Sequence, residues 1–202
     1  MASHPAVALL EFDSVAAGIV AGDAMVKRAA IGALHTGTVQ PGHYLVLVAG
    51  EVGEVEEAVD AGRAASGDAL IDLVLLPDIH PDVVEAIRGH RMRGPVEALG
   101  VIETVSVASV IEAADAGVKG AAVALLEMGL ADGLGGHGYL LFGGSVSDVE
   151  AAVAIGSGRV PPGHLMRSSV IPSLHPEMRA DLERHSRFGP SVGREGGGDA
   201  VG

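Results

Sequence analysis

The chain has 202 residues, 48% of them apolar but only 2% aromatic, and a formal net charge of −13. So acidic a chain lacks the clustered Lys and Arg that neutralise a phosphate backbone, which excludes nucleic acid as a partner. The absence of cysteine excludes disulfides, thiolate catalysis and thiolate-bound metal clusters, and a core of Ala, Val, Leu and Ile with so few rings leaves little room for a large cofactor.

Residues 1–5 show no basic region followed by an apolar stretch, and no run reaches the ~18 apolar residues of a membrane span, so a soluble cytoplasmic protein is expected. The first predicted element is a strand at residues 7–10. Ser14 then reads as a helix N-cap, and the Ala-rich stretch to residue 30, with Val15, Ile19 and Val26 spaced by four and seven, presents one apolar helical face. A strand at 31–34, a glycine-containing loop and a strongly apolar strand at 44–48 follow. A second helix starts around 50–52, with apolar residues at 52, 55 and 59, and a strand at 70–76 ends at Pro77 before a short helix after Pro81.

The same order then repeats. EFDSVAAGIVAGDAMVKRAA (11–30) lies over ETVSVASVIEAADAGVKGAA (103–122) with 12 of 20 positions identical at an offset of 92. The match resumes after a two-residue slip in offset, with Gly42-His43 over Gly136-His137, and it closes with LPDIHPDVVEAI (76–87) over IPSLHPEMRADL (171–182) at an offset of 95. Offset changes mark loops, because insertions are tolerated where the chain is exposed, and they place variable loops near 33–41 and 63–70. In the second copy, strands are predicted at 99–102, 123–127, 139–142 and 165–171, Ser106 is the N-cap of the first helix, and Ser145 with Asp148 forms a capping box at the second. Each copy reads β-α-β-β-α-β-α, a ferredoxin-like split arrangement with an extra helix, so the fold class is α/β (α+β): two four-stranded antiparallel sheets, each with about three helices. The expected boundaries are 5–89 for the first domain, 90–97 for the linker, 98–185 for the second domain and 186–202 for a disordered, glycine-rich tail.

Gly100-Val101-Ile102-Glu103-Thr104, followed by Glu112-Ala-Ala-Asp115-Ala-Gly-Val-Lys119, resembles the opening of a bacterial microcompartment shell (BMC) domain. Ile171-Pro172 with His175-Pro176 resembles the closing motif. The resemblance spans about residues 6–185 and occurs twice in unpermuted order, which identifies the tandem-domain, trimer-forming type. It implies a structural shell tile and not an enzyme. Such a tile is a homotrimer imitating the hexamer of single-domain members, meets other shell proteins edge to edge in the microcompartment shell, and passes small metabolites through a central pore. The implied pore lining is Gln40, Pro41, Gly42 and His43 in the first repeat and Leu134, Gly135, Gly136 and His137 in the second. Some unpermuted relatives carry a Cys before the Pro-Gly, where three copies hold an iron–sulfur cluster. Here the position is Gln40, so a cysteine-held cluster is excluded and no cofactor or metal is expected. Six histidines near the axis read as solvated loop residues rather than an imidazole metal site. Lys27 and Lys119 match the family's tile-edge lysine, while the arginine usual between Pro and His is replaced by Asp78 and Ser173.

Three further signals are set aside. Residues 133–138 satisfy GxGxxG, but an apolar strand and not a helix follows, which removes the helix N-terminus a pyrophosphate needs. His80 and His175, each before a Pro, read as structural caps at a strand-to-helix turn rather than catalytic bases. Glu51, Glu54, Glu56 and Glu57 read as the solvated face of a helix. The competing function is a ferredoxin-like small-molecule or metal-binding regulator holding a ligand between the loops at 35–43 and 127–138.

Overall fold

The computed structural model describes residues 5–94 and 96–184; the predicted tail at 186–202 lies outside them. The first repeat comprises β1 (Ala6–Phe12), α1 (Val15–Arg28), β2 (Ala33–Val39), β3 (His43–Gly50), α2 (Val52–Ser66), β4 (Leu70–Leu76) and α3 (Pro81–Ile87). The second comprises β5 (Ala98–Thr104), α4 (Val107–Gly120), β6 (Ala124–Leu130), β7 (Gly138–Gly144), α5 (Val146–Arg159), β8 (Leu165–Ile171) and α6 (Pro176–Arg184). The sheets run β2-β3-β1-β4 and β6-β7-β5-β8, every pair antiparallel, as the split arrangement requires.

Local chemistry sets the boundaries. Ser14 Oγ accepts from Ala17 N–H and Ser106 Oγ from Ser109 N–H, both at 3.3 Å, each satisfying an amide the first helical turn leaves open. Ser145 Oγ accepts from Asp148 N–H at 3.2 Å, but the expected box closes differently, since its hydroxyl donates to the Asp148 carboxylate at 2.6 Å. His80 and His175 are caps as expected, their Nδ1 atoms accepting from Asp82 N–H at 3.2 Å and Glu177 N–H at 3.3 Å. α2 starts later than its glycine suggests, because Gly50 is the last residue of β3 and Glu51 is the N-cap.

Two expectations need correction. Residues 33–39 are strand and not variable loop; the extra length lies after β6, in the turn from Ala131 to His137. A bulge between Leu125 and Glu127 offsets the connection from α4 to β6, which is one residue shorter than that from α1 to β2. The apolar stripe of α1 also does not face its own core. α1 buries Gly18, Ala21, Gly22 and Met25, whereas Ile19 is 53% exposed and Val15 38%. Their counterparts on α4, Ile111 and Val107, are both 0% exposed. The helices carry one pattern in two environments, because α4 packs on β4 and β1 of the first repeat as well as on its own sheet. Among the described residues no helix is long and apolar enough to cross a membrane.

Candidate functional site at the repeat seam and the pore loops

The tight turn at the end of β2 carries Gln40, Pro41 and Gly42, with a cis Gln40–Pro41 peptide, and His43 opens β3. The longer second turn lies against it. Gly133 N–H donates to Gln40 Oε1 at 3.2 Å, and a groove of about 490 Å³ between the turns is lined by Thr38 to Gly42, Asp132 and Gly135. Gly136 sits at φ +91° where an added Cβ would lie 2.9 Å from Pro41 Cδ, so both its conformation and its neighbour require glycine. The structure thus brings the two predicted pore loops together within one chain. His137 is exposed and Leu134 half-buried.

His43 behaves differently from His137. Its Nδ1 lies 2.9 Å from Glu11 Oε1, and the other oxygen of that fully buried carboxylate accepts the Val107 N–H at 2.8 Å. One carboxylate therefore ties the turn between β2 and β3 to the N-terminus of α4, where backbone dipole and open amides favour negative charge. Burial pushes the Glu11 carboxyl above its ordinary value, opposed by the bonds to His43 and Val107 and reinforced by the nearby Asp72.

Asp72, on β4 directly across from Glu11, accepts from Ser106 Oγ at 2.5 Å and Ser109 Oγ at 2.6 Å, with His164 Nδ1 at 3.1 Å. Ser, His and Asp meet here, but Ser109 and Asp72 share the same imidazole nitrogen, 3.0 and 3.1 Å away. A relay needs the carboxylate on one nitrogen and the hydroxyl on the other, so this is a joint between repeats and not a nucleophile site.

Further along the seam, Asp115 accepts the His80 N–H at 2.8 Å and pairs with Lys119 at 2.7 Å, and Lys119 also donates to the Asp78 carbonyl. Lys119 therefore spans the junction of the two repeats. Lys27 is highly exposed and pairs with Asp23 of its own helix at 2.5 Å. Sequence reasoning missed Glu11, Asp72, Ser109 and His164. The duplicated Glu11/Glu103 was a usable signal; Asp72 had none, because the equivalent register position, opposite Glu103, holds Arg167.

A cleft of about 670 Å³ lies apart from these loops for most of its lining, between the segment after α3 and the outer side of β6. Glu127 there accepts from Tyr139 OH at 2.6 Å and pairs with Arg91 at 2.7 Å. Among the described residues no three of His, Asp or Glu converge as a metal set within the chain.

Comparison with known proteins places both repeats. The model of the BMC domain matches residues 6–79 and again 98–174. The bacterial microcompartment shell protein PduT of Citrobacter freundii is 41% identical over 174 residues, covering 86% of this chain and 95% of that one. The crystal structure of a microcompartment protein from Desulfitobacterium hafniense superposes with a TM-score of 0.73 at 38% identity, covering 88% of this chain and 99% of the other. A fused permuted hexameric shell protein from the RMM microcompartment shares the fold at 19% identity, with a TM-score of 0.54 over 76% of this chain and 80% of its own.

Proposed function

The chain belongs to the BMC-domain family, as a tandem shell protein of a bacterial microcompartment, and from that premise we propose that three copies close into a pseudohexameric ring around a pore for small metabolites. One observation carries the ring. The chain contains a single completed seam, in which α4 of the second repeat buries its apolar stripe against the first, while the equivalent stripe on α1 stands open with Ile19 and Val15 exposed. The complementary surface is open too, since β8 is exposed at every position except Val170, whereas its counterpart β4 is half-buried or buried throughout. Each chain thus offers one half-seam at either end, head to tail, and a heterologous contact of this kind either closes into a ring or runs on as a filament. Six domains make the family's hexamer outline, which three tandem chains supply.

The pore of that ring is lined by Gln40, Pro41, Gly42 and His43 alternating with Leu134, Gly135, Gly136 and His137. These residues are small or uncharged apart from the imidazoles, and the exposed Asp132 stands beside Gln40 in the same groove. Such a lining suits small polar metabolites and disfavours bulky ones. Lys27 and Lys119 lie toward the rim, where neighbouring tiles meet, and the tile itself carries no catalysis.

Native mass measurement tests the ring, with an expected species of about 60 kDa, three times the 20.3 kDa chain, appearing as discs or sheets in negative stain. A chain that stays monomeric, or stops at a compact dimer at high concentration, overturns it.

A further inference from the structure

The completed seam inside the chain is a template for the seam between chains, and comparing the two repeat by repeat shows where they differ. Two contacts have counterparts of the same kind. Glu11, which caps α4 and holds His43, corresponds to Glu103, which would cap α1 of the next chain through Val15 and hold His137. Asp115, which takes the His80 amide and Lys119, corresponds to Asp23 with Lys27, facing the His175 amide of the next chain.

The third contact is reversed. Asp72 lies opposite Glu11 in the register of β1 and β4, and Arg167 lies opposite Glu103 in that of β5 and β8. Inside the chain Asp72 meets two hydroxyls and an imidazole, from Ser106, Ser109 and His164. Their counterparts on the first repeat are Ser14, Ala17 and Ala69, so two of the three polar partners are gone. Carboxylates stand in their neighbourhood instead. Asp13 precedes the N-cap Ser14 and donates its amide to the Ala69 carbonyl, the place Val105 takes beside His164, and Asp68 is next to Ala69. Arg167, Asp13 and Asp68 are all exposed in the single chain. A guanidinium is several bonds longer than the aspartate it replaces and binds carboxylates through a fork of donors.

We propose that the seam between protomers is closed by Arg167 of one chain on Asp13 of the next, with Asp68 flanking, a charged pair where the seam inside the chain has an aspartate on hydroxyls and an imidazole. Within its own chain Arg167 faces Glu103 across the strand pair, so in the ring it stands between that carboxylate and Asp13.

The inference rests on the ring reading, and the experiment separates the two. Wild type, R167D, D13R and the combination R167D/D13R are compared by native mass and light scattering across a dilution series, with far-UV circular dichroism as the check on folding. Each single reversal is expected to raise the concentration for half-dissociation of the trimer by about tenfold or more, because attraction becomes repulsion at every seam, and the combination is expected to recover most of that loss. Trimers unaffected by R167D, or a combination no better than the singles, overturn this pairing while the ring stands. R167A and D13A serve where a reversal unfolds the chain, with weakening expected for both and no effect from either overturning the proposal. A wild type that never forms trimers removes both readings.

Discussion

Replacing Glu11 separates the parts it plays. Its carboxylate is fully buried, with one oxygen on the Val107 amide at 2.8 Å and the other at His43 Nδ1, 2.9 Å away. E11A strands a buried backbone N–H at the first turn of α4 and removes the partner of the His43 ring. An unsatisfied buried group costs about 1–3 kcal/mol, so the two together with the small cavity are worth about 2–4 kcal/mol. E11Q keeps an oxygen for Val107 and offers an amide to His43 while removing the burial of a charge, so it is expected to stay within about 1 kcal/mol of wild type at neutral pH. Urea unfolding followed by circular dichroism at one fixed protomer concentration measures both, since association itself stabilises the chain.

The pH dependence has a defined sign. Burial raises the Glu11 carboxyl, so the folded chain holds that proton more tightly than the unfolded one. The stabilisation linked to it is fully present below the ordinary carboxylate value and is lost as pH rises through the raised folded value. Wild type is therefore expected to lose stability relative to E11Q on going up through that window and to run parallel to it above. An E11Q as damaging as E11A, or a difference that grows in the opposite direction, would refute the account of Glu11 as a buried, raised carboxylate joining loop to helix.

The repeats also make paired experiments possible. I19K is expected to abolish the trimer and leave a folded monomer, whereas I111K, at a position with 0% exposure, is expected to cost more than about 4 kcal/mol and prevent folding; light scattering and circular dichroism distinguish them. G156A places a Cβ 2.7 Å from the Ala113 carbonyl oxygen, between α4 and α5, and is expected to lower stability by about 1–3 kcal/mol. G53A, whose Cβ would meet nothing within 4 Å on α2, is expected to gain about 0.4–1 kcal/mol, both read from urea midpoints. H80A removes the acceptor of the Asp82 amide at the start of α3 and is expected to cost about 1 kcal/mol, visible as a lowered Tm.

What was legible in the sequence is what local chemistry decides. The duplication, the order of elements, the Ser14 and Ser106 caps and the histidine caps at Pro81 and Pro176 all depend on residues a few positions apart. The BMC resemblance followed from motifs of the same short range, and both repeats match that domain. The two turns expected to line a pore could be named but not brought together, because the bond from Gly133 to Gln40 joins segments from different repeats.

Burial was the part that sequence could not decide. The stripes on α1 and α4 read alike, yet Ile19 is open and Ile111 closed, since a helical period reports which residues share a face and not what that face meets. The same limit hid the joint of Glu11 and Asp72 with the start of α4, whose partners come from the other repeat. Duplication made the halves alike in sequence. Only the tertiary structure decided that one seam is satisfied inside the chain while its counterpart surfaces, the α1 stripe and β8 with Arg167 in place of Asp72, stand exposed.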